Sequence, residues 1–101
     1  MAYDEALAAR VRAQLEDEPG LTEKKMFGGL GFMLDGNMAV GIRGDDLLVR
    51  VGAEHMDEAL QEPHVRESVM GKHVMKGFVL VSQDAELDSW IRRGVAYARS
   101  L

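Results

Sequence analysis

Apolar positions along the chain change period four times, and each change marks an element. Tyr3, Leu7, Val11 and Leu15 recur every fourth residue, the spacing of one helix face. Asp4 stands where a carboxylate can cap the helix start, and Pro19-Gly20 stops the helix. From Phe27 to Val51 the period is two, broken at Asp35-Gly36-Asn37 and at Gly44-Asp45-Asp46. Gly, Asn and Asp accept the positive φ of tight hairpin turns, so strands are expected over about 27–34, 38–43 and 47–51. Ala53 to Gln61 reads as a short helix ending before Pro63, and 72–82 as a further strand that 65–70 could join. Leu87, Trp90, Ile91, Val95 and Ala98 then fall on one face of a closing helix that begins near Asp84. The order α-β-β-β-α-β-α predicts an α+β domain, a two-layer sandwich of helices on an antiparallel sheet of about four to five strands.

The glycines of KKMFGGLGFMLDG (residues 24–36) raise a chemical question. A Walker loop needs Gly, four residues and Gly-Lys-Ser/Thr, yet Gly71-Lys72 is followed by His73 and preceded by Arg66 where the first Gly belongs. A dinucleotide fingerprint needs a third Gly where Leu34 stands. Both motifs must also open a helix, whose amides hold the anion, and here a hairpin follows. Gly28, Gly29, Gly31, Gly36 and Gly41 are therefore read as structural. Under either hairpin register each strand glycine is expected opposite a bulky partner, for example Gly31 against Val40 or Ile42.

Carried through both turns, the alternation puts Met33, Met38, Val40, Ile42, Leu47, Val49 and Val51 on one face. The other receives Leu30, Phe32, Leu34, Ala39, Gly41, Leu48 and Arg50. Both are apolar, so either helices cover both or the second face docks a partner. The candidate interaction surface is centred on Phe32, Leu48 and Arg50, with Leu30, Lys24 and Lys25 beside it.

Composition narrows the chemistry. The 101 residues suit one domain, residues 1–101, with 47% hydrophobic and 29% charged side chains. There are no cysteines, which removes disulfides, thiol nucleophiles and thiolate metal sites. The formal net charge is −5, and no segment is strongly basic: residues 19–81 carry seven cations against nine anions. Direct nucleic-acid binding is therefore not expected. The acidic opening lacks the pattern of a secretory signal, and no run approaches about 18 apolar residues, so a cytoplasmic protein away from the membrane is expected. His55, His64 and His73 are nine apart, a spacing that fits neither a helix face nor a ligand pair. The four serines lie outside any nucleophile motif. No catalytic, metal or cofactor-binding residue is assigned. Lys24, Lys25, Arg43, Arg50, Lys72 and Lys76 are solvated charges or, if they converge, a surface for an acidic partner.

AYDEALAARVR, TEKKMFGGLGFMLDGNMAVGI, DLLVRVG, MKGFVLV and the Trp90 helix resemble the N-terminal domain of the TfoX/Sxy competence regulators. The resemblance covers nearly the whole chain. It implies a two-layer fold similar to that of type III secretion chaperones, and a stand-alone domain without the family's C-terminal helical half. It also implies a regulatory, protein-interaction role rather than catalysis. The expected partner is a protein, with the transcription machinery as one candidate and a homodimer as another; the alternative is a small ligand-binding domain or enzyme with an unrecognised pocket.

Overall fold

Asp4 opens the first helix, α1 (Glu5–Leu15), by accepting hydrogen bonds at Oδ1 from the amides of Ala6 and Leu7 at 2.9 and 3.1 Å. These are two of the donors that a helix start leaves unpaired. The computed structural model describes residues 3–26 and 28–101. After α1 come strands β1 (Leu21–Met26), β2 (Gly29–Leu34), β3 (Asn37–Arg43) and β4 (Asp46–Arg50). A 3-10 turn, Ala53–His55, runs into α2 (Met56–Leu60), followed by β5 (Val65–Met70), β6 (His73–Val81) and α3 (Leu87–Arg99). Among the described residues these make an α+β domain with one open antiparallel sheet in the order β1-β2-β3-β4-β6-β5. The expected helices, hairpins and two-layer arrangement are present, and the sheet is wider than expected. Phe27, the expected start of the first strand, lies outside the described residues.

The added strand is β1, while β5 is the strand that 65–70 could form. β1 is the charged stretch LTEKKM, with its four middle residues exposed. It has no apolar alternation to announce it, and charged side chains are what protects an edge strand from further pairing. β5 closes the other edge on β6. The closing helix begins at Leu87 rather than near Asp84; the amide and carboxylate of Asp84 instead meet the Ser82 hydroxyl.

The first hairpin turns on Asp35-Gly36, with φ of 51° and 85°, the mirror-image turn that matches strand twist. Leu34 pairs with Asn37 and Met33 with Met38, but the next pair is Phe32 with Val40. Ala39 is an extra residue, a β-bulge. Beyond it the faces of β3 are exchanged relative to β2. Leu30, Phe32, Val40 and Ile42 now share a face, and Gly31 lies opposite Gly41. Three expectations are thereby corrected. Leu30, Phe32 and Leu34 belong to the helix side; Met33 and Met38 belong to the other; and Gly31 has another glycine, not a bulky residue, across from it in β3.

The core lies between the sheet and one layer of helices. Phe32, Val40, Leu47, Val49, Val79 and Val81 are fully buried there against Val11 of α1, Ala59 of α2 and Ile91 of α3. Burying each such side chain stabilises the fold by about 1.5–3 kcal/mol. α3 comes closest. A side chain at Gly94 would meet the backbone of Ala39, so the bulge and the helix fit each other only because one residue is small and the other has no Cβ. Arg99 fixes the end of α3 by donating to the Pro19 carbonyl at 2.7 Å and to Glu18 and Asp35, each at 3.0 Å.

Candidate interaction face

Among the described residues, the sheet face opposite the helices is covered by the sheet's own side chains. Met38, Leu48 and Leu80 form a buried apolar cluster, and Met26, Met33, Met75 and Phe78 pack half-buried around it. Among the described residues no helix residue takes part. The strand register sets them in rows: Met33 beside Met38, then Gly31, Gly41, Leu48 and Leu80 in neighbouring strands, then Met26 across from Gly29. Alternation assigns the rows to this side, because Val40, Val49 and Val79 between them point into the helix-side core.

The paired glycines leave a strip without side chains, and methionines lean over it. A Cβ on Gly41 would lie 2.6 Å from Met38 Cε and 2.8 Å from the Leu30 carbonyl oxygen; one on Gly31 would lie 3.2 Å from Met26 Cε. The glycines therefore do permit close packing, but through methionines from adjacent rows. At Gly29 a Cβ would run into the Ile42 carbonyl oxygen, so β2 and β3 approach closely there. Gly28 and Gly36 carry positive φ of 77° and 85° and serve the turns. Met26 of β1 and Met75 of β6 line one cavity of about 30 Å³ with Met38, Leu48 and Arg43. The cavity is far below the size of a metabolite site.

Cations rim the apolar floor. Arg50 Nη1 donates to the Met38 carbonyl at 3.4 Å, and its guanidinium lies 5.4 Å from the Phe78 ring centroid, within reach of a cation–π attraction. Arg43 Nη1 donates to Ser68 Oγ at 3.0 Å, and that buried hydroxyl donates to Met75 Sδ at 3.2 Å. Lys24, opposite Gly31, is exposed on the same side. The Asp46 carboxylate is taken by Arg66. Among the described residues Lys24, Arg43 and Arg50 are in no ion pair, so this side of an acidic chain is locally positive.

Of the six residues expected at an interaction surface, the fold brings Leu48, Arg50 and Lys24 together here. Phe32 and Leu30 are 0% and 5% exposed beneath the helices, and Lys25, opposite Leu30, points to the helix side of the edge. The expected centre is corrected in one member: Phe32 lies in the helix-side core, while Leu48 and Arg50 remain on the opposite face. The methionines, Phe78, Arg43 and Ser68 were not anticipated. Their signal, alternate methionines flanking strand glycines, is legible only once the register is known.

A second concavity lies among the helices. Val51, His55, Glu58, Arg93, Tyr97 and Ser100 border a cleft of about 400 Å³, a volume within the range of ligand sites. Several of its polar groups already have partners. Tyr97 Oη donates to Glu54 Oε1 at 3.0 Å, which holds the Tyr97 hydroxyl pKa up. The Glu54 carboxyl is held below its usual range by its own amide first and by Tyr97 second. Arg93 bonds Glu62 at 2.8 Å and stacks 3.8 Å from the Trp90 ring; Ser100 Oγ donates to the Tyr97 carbonyl at 2.6 Å. His55 borders the cleft, His64 lies in the turn before β5, and His73 starts β6. No group of three His, Asp or Glu that could hold a metal occurs among the described residues.

These features define a class: a small α+β domain with one sheet face under helices and the other self-covered, methionine-rich and cationic. The model of the TfoX N-terminal domain matches residues 13–98, and the chain belongs to that family. No curated protein and no solved structure matches it.

Proposed function

We propose that the chain is a non-enzymatic regulatory module that acts by binding a protein through the open face of its sheet. The observation that carries this reading is the set of half-buried apolar side chains Met26, Met33, Met75 and Phe78 around the buried Met38, Leu48 and Leu80, with no helix residue packed on them among the described residues. Apolar surface that a domain leaves uncovered is where contacts with other proteins concentrate. Membership of the TfoX N-terminal family favours a partner in the transcription machinery. Among the described residues no helix is long and apolar enough to cross a membrane, which fits work in the cytoplasm. Three cations on an apolar floor are few for a phosphate backbone, whose binding grows with the number of neutralised phosphates. Direct DNA binding is therefore not part of the proposal.

The test compares affinity capture by the intact chain with capture by Met33→Glu and by Arg93→Glu. Met33 is half-buried on the open face, whereas Arg93 borders the helix-side cleft. Partners lost with Met33→Glu and kept with Arg93→Glu support the proposal. The opposite result favours the second reading, a ligand site in the cleft, where His55, Glu58, Arg93 and Tyr97 converge.

A further inference from the structure

Resting on that reading of the open face, we infer that its occupant is an acidic amphipathic helix of a partner protein. Charge gives the first argument. The chain carries −5 overall, yet among the described residues the rim of this face holds Lys24, Arg43 and Arg50, and its carboxylate Asp46 is already engaged by Arg66. An apolar floor ringed by cations matches a segment with an apolar stripe flanked by Glu or Asp, and electrostatic complementarity of this kind selects the partner.

The floor gives the second argument. Gly31 and Gly41 stand side by side, so two adjacent strands, about 4.8 Å apart, lack side chains at the centre of the face. The atoms now occupying that strip are chain ends of Met38 and Met26. Thioether side chains are unbranched and swing aside at low cost, which is how methionine-rich surfaces accept helices of varied sequence. A helix is about 10 Å across and spans two strand spacings, so its i, i+3, i+4 and i+7 anchors can enter the strip while its carboxylates meet the rim. A second copy of this chain fits poorly. An isologous pairing of the same face would set each cationic rim against another, and like charges in contact are unfavourable.

The test uses the full chain labelled with ¹³C at the methionine methyl groups. It is titrated with two peptides of about 18 residues, five helical turns, one built of Leu and Glu and one of Leu and Lys. The expected result is movement of the Met26, Met33, Met38 and Met75 signals with the Leu/Glu peptide, while Met56, on the helix side, stays fixed. Binding should weaken about tenfold in Arg50→Glu and on raising the salt from about 0.05 M to about 0.5 M. Lys24→Glu repeats the comparison at an exposed edge residue whose change cannot disturb the core. Movement with the Leu/Lys peptide alone overturns the acidic partner and leaves the interaction face standing. If a DNA duplex moves the four signals and neither peptide does, the inference falls. It also falls if neither peptide moves them while capture of native proteins still depends on Met33, and in that case the reading of the face survives.

Discussion

Gly94→Ala is a test of sign. Gly94 is buried in the middle of α3, where glycine is about 1 kcal/mol less favourable than alanine in helix propensity. In an isolated helix the substitution would therefore stabilise by about that amount. Here the new methyl would lie 2.5 Å from the Ala39 carbonyl oxygen and 2.7 Å from Val40 Cγ1, about 1 Å inside ordinary contact. The first of these atoms is backbone, in the bulge that sets the register of β2 on β3, and cannot rotate away. Overpacking costs about 1–3 kcal/mol, and a clash with backbone belongs in the upper part of that range. Set against the propensity gain, the net loss is about 1–2 kcal/mol. For a domain of this length each kcal/mol moves Tm by about 4–8 °C, so Gly94→Ala should melt roughly 4–16 °C lower by circular dichroism. Ala96→Gly, at an exposed site two residues on, supplies the propensity scale and should cost about 1 kcal/mol. Gly94→Ala melting higher than the unaltered chain would refute the close seating of α3 on the bulge.

Phe32→Ala should cost about 3–5 kcal/mol in urea unfolding, because the ring is fully buried beneath the helices; Met33→Ala, its half-buried neighbour on the open face, should cost far less, and equal losses would contradict the assignment of faces. Glu23 accepts from Arg12 at 2.6 and 2.8 Å, and that bond holds its carboxyl below the usual range. A carboxylate depressed in the folded chain stabilises fully above the unfolded value of about 4.3 and loses that contribution as pH falls through the folded one. Between about pH 5.5 and 2.5, Tm of Glu23→Gln should accordingly fall less steeply than that of the unaltered chain, and parallel curves would rule the pair out as a contributor.

Local chemistry made much of the fold legible. Asp4 is a cap because a carboxylate can reach the amides two and three residues on, and the two hairpins follow from Asp35-Gly36 and Gly44-Asp45, where Asp35, Gly36 and Gly44 take positive φ. The helix of Leu87, Trp90 and Ile91 follows from its spacing, since all three are buried. β1 was illegible because pattern reading looks for apolar alternation. The four middle residues of LTEKKM are exposed, and the strand is held by pairing with β2 rather than by burial. The methionine face was illegible for another reason. Its members come from five strands, and only their pairing makes Met26 and Met75 neighbours of Met38.

The divided fate of the expected interaction residues traces to Ala39. Leu48 and Arg50 were assigned from the second hairpin, where Arg43 pairs with Asp46 and alternation runs unbroken through Gly41 opposite Leu48. Phe32 and Leu30 were assigned by carrying the register through the first hairpin, and one unpaired residue there exchanges the faces of everything beyond it. Nothing in GNMAVGI distinguishes a bulge from regular strand, because both alternation phases are apolar. The consequence reaches past the register. In an unbroken strand Met38 would share the face of Val40 and lie under α3; the extra residue turns it to the open side and leaves Ala39 beneath Gly94. The same small residue thus lets the closing helix press onto the sheet and gives the uncovered face the side chain that lies over its paired glycines.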